Sequence, residues 1–187
     1  MKSVLLNLKA NEDISMINII KSKFPIGSKI LEISCGNGVD SLYLKNIGYD
    51  VVCTELNDDY VNNAKDLGLN CIKHNTLNKF PFKDKEFDLV YCRLGLHYFS
   101  EEELNNILKD INRITKNLLM SVKTVNDIST GKVIFDTKKW ENIISKYFNI
   151  ISFEEKSGIL YDNKSEWIES FSKSRNIKTF ENFKYNN

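Results

Sequence analysis

The fold is most clearly indicated by one segment, Leu31-Glu32-Ile33-Ser34-Cys35-Gly36-Asn37-Gly38-Val39-Asp40-Ser41. Residues 29–33, which are mostly apolar, predict a short buried strand, and residues 39–46 predict a helix. Glycines at a strand-to-helix turn let the backbone approach a ligand closely, because no Cβ intervenes, and the helix N-terminus offers free N–H groups. As a G-x-G-x-x-G turn the segment is incomplete, because Ser41 stands at the third glycine. The segment predicts a β-α unit that approaches a ligand with its backbone.

Outward from this turn, the pattern alternates between strands and helices. Strands are predicted at 29–33, 49–54, 70–73, 87–92 and 118–124, with two more at 149–153 and within 159–173. Helices are predicted at 12–23, 39–46 and 58–67, after the capping box that runs from Ser100 to Glu103, and around Trp140 to Phe148. The alternation predicts an α/β fold: a Rossmann-like, doubly wound, mostly parallel seven-stranded sheet with helices on both faces. Ligands of such sheets bind beyond the carboxyl ends of the strands.

Two acidic residues lie at the carboxyl ends of predicted strands. Glu32 ends a buried strand, where a carboxylate is costly unless it has a partner. The ammonium group of S-adenosylmethionine (SAM) is such a partner, whereas NAD places no ammonium there. Glu55 ends the second strand, about 20 residues after the glycine turn, where a carboxylate can accept hydrogen bonds from ribose hydroxyls. Both cofactors carry that ribose, so Glu55 indicates a nucleoside without choosing between them.

The sequence Glu32-Ile-Ser-Cys-Gly-Asn-Gly resembles motif I of class I SAM-dependent methyltransferases, with Ser34 in place of the first glycine. The resemblance runs from about residue 29 to 124 and includes the passages 80–92 and 94–99. Two departures are Asn75, where the family usually has Asp, and Thr115-Lys116-Asn117, which replaces the usual Pro-Gly-Gly turn. Residues 35–44 and 48–51 look closest to the small-molecule branch, which includes tellurite-resistance and thiopurine-type enzymes.

The resemblance implies SAM as methyl donor and S-adenosylhomocysteine as product. It implies cofactor contacts from residues at the ends of the first four strands: Glu32, Ser34, Cys35, Gly36, Gly38, Glu55, Leu56, Asn75, Thr76 and Cys92. His97, just past the fourth strand, is the candidate general base, since an unperturbed histidine pKa of about 6.5 suits proton pickup at neutral pH. The alternative is a packed or solvent-facing histidine. Residues predicted to line the acceptor pocket are Arg93, Tyr98 and Lys123.

Composition limits the partners. The 187 residues carry a net charge of +1, from 26 basic and 25 acidic side chains, without the basic excess of a nucleic-acid-binding protein. We expect one domain over residues 1–177 with a polar tail at 178–187, a cytoplasmic location, no membrane span, and a monomer or homodimer. The four cysteines form no C-x-x-C pair, so we expect reduced thiols packed as small apolar groups and no metal site.

The sequence thus predicts a methyltransferase that moves a methyl group from SAM to a small-molecule acceptor by in-line displacement. One alternative is a methyltransferase of tRNA or protein that works with a partner, and another is a SAM-binding module that no longer catalyses. An NAD-dependent oxidoreductase is also compatible with the glycine turn and Glu55, but Glu32 and the lack of a second substrate domain disfavour it.

Overall fold

The computed structural model describes residues 14–125, 135–160 and 163–174. The predicted tail at 178–187 lies outside the described residues. A short 3-10 helix, Leu96–Tyr98, follows the fourth strand. The helices and strands, in chain order, are α1 Ile14–Lys23, β1 Lys29–Ile33, α2 Val39–Asn46, β2 Asp50–Glu55, α3 Asp58–Asp66, β3 Asn70–Lys73, β4 Leu89–Arg93, α4 Glu101–Ile114, β5 Asn117–Lys123, α5 Thr137–Ser145, β6 Phe148–Leu160 and β7 Asn163–Ser174.

The strands form one sheet in the order β3-β2-β1-β4-β5-β7-β6. The first five strands pair in parallel, and β7 runs antiparallel to both β5 and β6. The predicted mostly parallel seven-stranded sheet is therefore confirmed. The strand order reverses between β1 and β4, so the carboxyl ends of these two neighbouring strands form the switch point at which such sheets bind ligands.

Alternate residues of β1 face opposite layers of helices, because successive side chains of a strand point to opposite faces. Leu31 and Ile33 pack in a core with apolar residues of α4 and α5. Ile30 packs in a second core with residues of α1 and α2. Both cores are fully buried at their centres, which fixes the register of β1 and, with it, the position of the turn that follows.

Several predicted boundaries shift. The second strand begins at Asp50 and includes Glu55, and the fourth begins at Leu89, because Phe87 makes only an isolated bridge to Thr115. The helix around Trp140 ends at Ser145. Phe148, which was predicted to belong to this helix, begins β6. The prediction was wrong because an apolar residue at the start of a buried strand can also fall at the spacing of a helical face. The last two strands are longer than predicted and form a hairpin with a register shift between Ile150 and Ser152.

The capping box that opens α4 is confirmed. The Ser100 hydroxyl accepts from the Glu103 backbone amide, and the Glu103 carboxylate accepts from the Ser100 amide at 2.7 Å. Among the described residues, no helix is long and apolar enough to cross a membrane.

Candidate functional site

The turn after β1 alternates between ordinary and left-handed backbone. Ser34, Gly36 and Gly38 have φ angles of 55°, 53° and 73°. A Cβ on Gly38 would lie 2.6 Å from Leu69 Cδ1 and 3.2 Å from Ala64 Cβ, so the turn packs against α3 and the chain that follows it. Ser34 holds the left-handed conformation without being glycine, at a cost of about 1–2 kcal/mol. The turn is thus a fixed structure that exposes backbone amides at the carboxyl edge of the sheet.

Glu55 is bound to this turn. One carboxylate oxygen accepts from the Gly36 amide at 2.9 Å, and the other accepts from the amides of Leu56 and Asn57 at 2.8 and 3.0 Å. The two carboxylate oxygens offer about four lone-pair sites and three are used, so one site remains on the oxygen that faces Gly36. The structure therefore brings Glu55 and Gly36 together and holds the carboxylate in one orientation.

Glu32 lies on the other side of the same turn. Its side chain is buried, with 4 % of the residue exposed, and accepts a hydrogen bond from the Ser41 hydroxyl. Burial, followed by the negative charge of Asp40, raises the pKa of Glu32 to about 8, against the lowering effects of Ser41 and Arg93. At neutral pH this carboxyl holds a proton, and a cationic ligand beside it would lower the pKa and charge it. Ser41, which breaks the G-x-G-x-x-G pattern, is therefore the hydrogen-bond donor to Glu32.

Arg93, at the end of β4, is bound within the fold. Its guanidinium donates to both carboxylate oxygens of Asp40, at 2.6 and 3.0 Å, and the buried Tyr91 hydroxyl donates to the same carboxylate at 2.7 Å. Asp40 is itself buried, so the ion pair balances a charge that would otherwise be costly. The sequence suggested Arg93 as an acceptor-pocket residue. In the structure, the Arg93 guanidinium forms an ion pair with Asp40.

After β3 the chain makes a tight turn. Asn75 Oδ1 accepts from the Leu77 amide at 3.0 Å, and the Asn75 carbonyl accepts from the Asn78 amide at 2.8 Å. Thr76 is buried, whereas Leu77 and Leu56 are about half exposed, at 47 % and 57 %. Because β2 and β3 are parallel neighbours, Leu56 and this turn follow the same edge of the sheet. The predicted cofactor residues of β1, β2 and β3 thus share that edge.

Beyond β4 the candidate acceptor residues differ in exposure. His97 is buried, with 2 % of its surface exposed, and its ring lies 4.2 Å from that of Tyr98, which is 57 % exposed. Lys123 ends β5 and is also buried, and its carbonyl accepts from the Trp140 indole at 3.2 Å. Cys92 is fully buried, and its burial raises the pKa of the thiol to about 12. A histidine and a lysine are therefore buried at the ends of two adjacent strands.

Sequence reasoning missed four residues at this edge: Asp40, Ser41, Tyr91 and Gly95. The sequence carried a signal for Asp40 and Ser41. Both are polar residues in the first turn of the helix that follows β1, where a side chain can reach the end of the strand. Tyr91 and Gly95 had none, because their contacts depend on the pairing of β1 with β4.

Part of the chain is similar to known proteins. A family model described as "Methyltransferase domain" matches residues 31–118. An uncharacterized methyltransferase of Synechocystis is 26 % identical over 112 residues, which are 59 % of this chain and 53 % of the relative. This chain therefore matches about half the length of that relative.

Solved structures share the fold. A TehB-like SAM-dependent methyltransferase from Corynebacterium glutamicum superimposes with a TM-score of 0.72 at 18 % identity, over 93 % of this chain and 95 % of that one. The [4+2]-cyclase SpnF gives 0.73 at 14 % identity, over 87 % and 81 %. The chain is thus similar in sequence to methyltransferase domains over residues 31–118 and shares the fold of SAM-dependent methyltransferases. The glycine turn, Glu32 and Glu55 all lie within the matched residues.

Proposed function

We propose that this protein is a class I SAM-dependent methyltransferase that transfers the methyl group of SAM to a small-molecule acceptor. The observation that carries the proposal is the pair of carboxyl groups on either side of one glycine turn. Glu55 lies against the Gly36 amide, and Glu32 is buried beside Ser41. SAM has a ribose that suits the first carboxylate and an ammonium group that suits the second.

The residues present fit this donor. Glu55 retains one acceptor site for a ribose hydroxyl, on the oxygen that faces Gly36. The half-exposed side chains of Leu56 and Leu77 offer apolar contact to a purine at the edge of β2 and β3. Glu32, with its raised pKa, is poised to lose its proton when a cation arrives. When bound, SAM supplies an electrophilic methyl group on sulfur. The protein's part is to hold an acceptor atom about 3 Å from that methyl group and to exclude water.

Burial on the acceptor side favours a small acceptor. His97 and Lys123 are 2 % and 7 % exposed, so a group that reaches either must be slender. The exposed ring of Tyr98 lies beside the His97 ring and offers an apolar surface to the rest of the acceptor. A polymer such as tRNA would have to insert a single base or side chain, and the near-zero net charge supplies no general attraction for a phosphate backbone.

One observation favours a second candidate, a SAM-binding protein that does not transfer the methyl group. The [4+2]-cyclase SpnF has the same fold, so the fold is compatible with a different reaction. Ser34 and Asn75 are two of the three departures from the family pattern. Both concern the predicted cofactor side, so they are compatible with either candidate.

Turnover tests the proposal. The purified protein is incubated with SAM and, separately, with thiol, amine, hydroxyl and chalcogenide compounds, and S-adenosylhomocysteine is measured by mass spectrometry. Acceptor-dependent formation of S-adenosylhomocysteine, lost in Glu55→Ala and kept in the exposed control Glu102→Ala, is expected. SAM binding without turnover on any acceptor would favour the second candidate.

A further inference from the structure

Three cysteines that are far apart in sequence meet beneath the glycine turn. The Sγ atoms of Cys35, Cys53 and Cys71 all lie within 4.8 Å of one another, and those of Cys35 and Cys71 are 4.0 Å apart. Cys53 and Cys71 are direct partners in the parallel pairing of β2 with β3, and Cys35 lies in the turn after β1. The strand register, not a local C-x-x-C spacing, assembles the group.

The surroundings of this group, the three-thiol cluster, are apolar. Val61, Ala64 and Leu69 pack with it under α3. Cys53 and Cys71 are 0 % and 5 % exposed, and Cys35 is 9 % exposed on the side of the turn. Within the part of the chain that the structure describes, no histidine or carboxylate joins the three thiols as a fourth ligand. The fourth cysteine, Cys92, belongs to a different core cluster.

The spacing suits three-coordinate thiolate chemistry. Metal–thiolate bonds are about 2.3 Å long, and an ion at the centre of a trigonal plane with such bonds separates the sulfurs by about 4.0 Å. The 4.0 Å between Cys35 and Cys71 matches that separation.

We propose that the three-thiol cluster binds one soft, thiophilic metal ion in a three-coordinate site, with Cu(I) as the ion of choice. Thiolates select soft ions, and structural zinc sites use four ligands, which this cluster does not supply among the described residues. Because Cys35 belongs to the glycine turn, the bound ion joins that turn to β2 and β3. Cys35 is also one of the predicted SAM contacts, so the proposed metal site adjoins the predicted cofactor site.

Anaerobic titration tests the site. The reduced full chain is titrated with Cu(I) in competition with a chromogenic Cu(I) chelator, alongside Cys53→Ala, Cys71→Ala and the matched control Cys92→Ala, which also removes one buried thiol. We expect one Cu(I) per chain, affinity lowered by at least about tenfold in the two cluster variants, and no change in the control. Equal loss in Cys92→Ala, or unchanged binding in the cluster variants, would overturn the proposal.

X-ray absorption of the Cu(I)-loaded wild-type protein keeps the test independent of whether the variants fold. Three sulfur neighbours at about 2.3 Å support the site. Two sulfur neighbours, or nitrogen and oxygen neighbours, would contradict it, as would Zn(II) that competes with Cu(I) on equal terms.

Discussion

A Cβ on Gly95 would lie 2.9 Å from the Cβ of Ser34. The serine that replaces the first glycine of the turn fits because the loop after β4 has no side chain at the facing position. The same imagined Cβ would lie 2.8 Å from Cys92 Sγ. Gly95 has a φ of −103°, which any residue adopts. Glycine is therefore required there because a side chain has no room, not because of the backbone conformation. Ser34 and Gly95 therefore form a complementary pair between the two loops of the switch point.

Gly95→Ala should destabilise the protein by about 1–3 kcal/mol through overpacking. Ser34→Gly in the same chain should recover part of that loss, because it removes one of the two close contacts, whereas Cys92 Sγ remains. Urea denaturation of the two single variants and the double variant measures the coupling. Strict additivity of the two substitutions would show that the side chains do not meet.

Glu32 should make stability depend on pH. Its pKa is raised from 4.5 to about 8 in the folded protein, so the folded state holds the proton more tightly than the unfolded chain does. The resulting contribution is complete below the unfolded pKa and is lost as the pH rises through 8, by up to about 1.4 kcal/mol per pH unit between the two values. Urea denaturation of wild-type protein from pH 5 to 8.5 should show this decline.

Glu32→Gln should flatten that decline, because the amide does not ionise. The control Glu102→Gln makes the same substitution at an exposed position on α4 and should keep the wild-type slope. A Glu32→Gln variant with the wild-type pH dependence would refute the burial-raised pKa.

Arg93→Met should cost about 3–5 kcal/mol, because Asp40 would be left buried without its cation. Adding Asp40→Asn should restore much of that loss. Thermal or urea unfolding measures both. If Arg93→Met leaves stability unchanged and instead weakens only the binding of an anionic acceptor, the arginine serves the acceptor pocket as first predicted from the sequence.

His97→Asn should lower turnover by about 10²–10⁴-fold if the acceptor loses a proton during methyl transfer, since general bases contribute that range. SAM affinity should stay the same, because the residue lies past β4, beyond the glycine turn. Steady-state kinetics with any acceptor found in the screen, together with calorimetry, separates the two effects. Tyr98→Phe, next to it but exposed, is the comparison. Undiminished turnover in His97→Asn would assign the histidine to packing.

The sequence predicted the sheet because its strands are short apolar runs at regular intervals. It placed the candidate site at the carboxyl edge of the sheet because glycines and carboxylates mark strand ends. The pairing of Glu55 with Gly36 followed from that topology. The ion pair of Asp40 with Arg93 did not, because which face of α2 meets β4 depends on packing. Likewise, the cysteine spacing indicated no metal ligands, yet the register of β2 with β3 brings three thiols together.

The most direct test of the account is calorimetric titration with SAM, S-adenosylhomocysteine and NAD of wild-type protein, Glu55→Ala and Glu102→Ala. We expect SAM and S-adenosylhomocysteine to bind to the wild type and to Glu102→Ala. Glu55→Ala should lose most of that binding, and NAD should not bind to any of the three proteins. Binding of NAD in place of SAM, or SAM binding that is indifferent to Glu55, would contradict it.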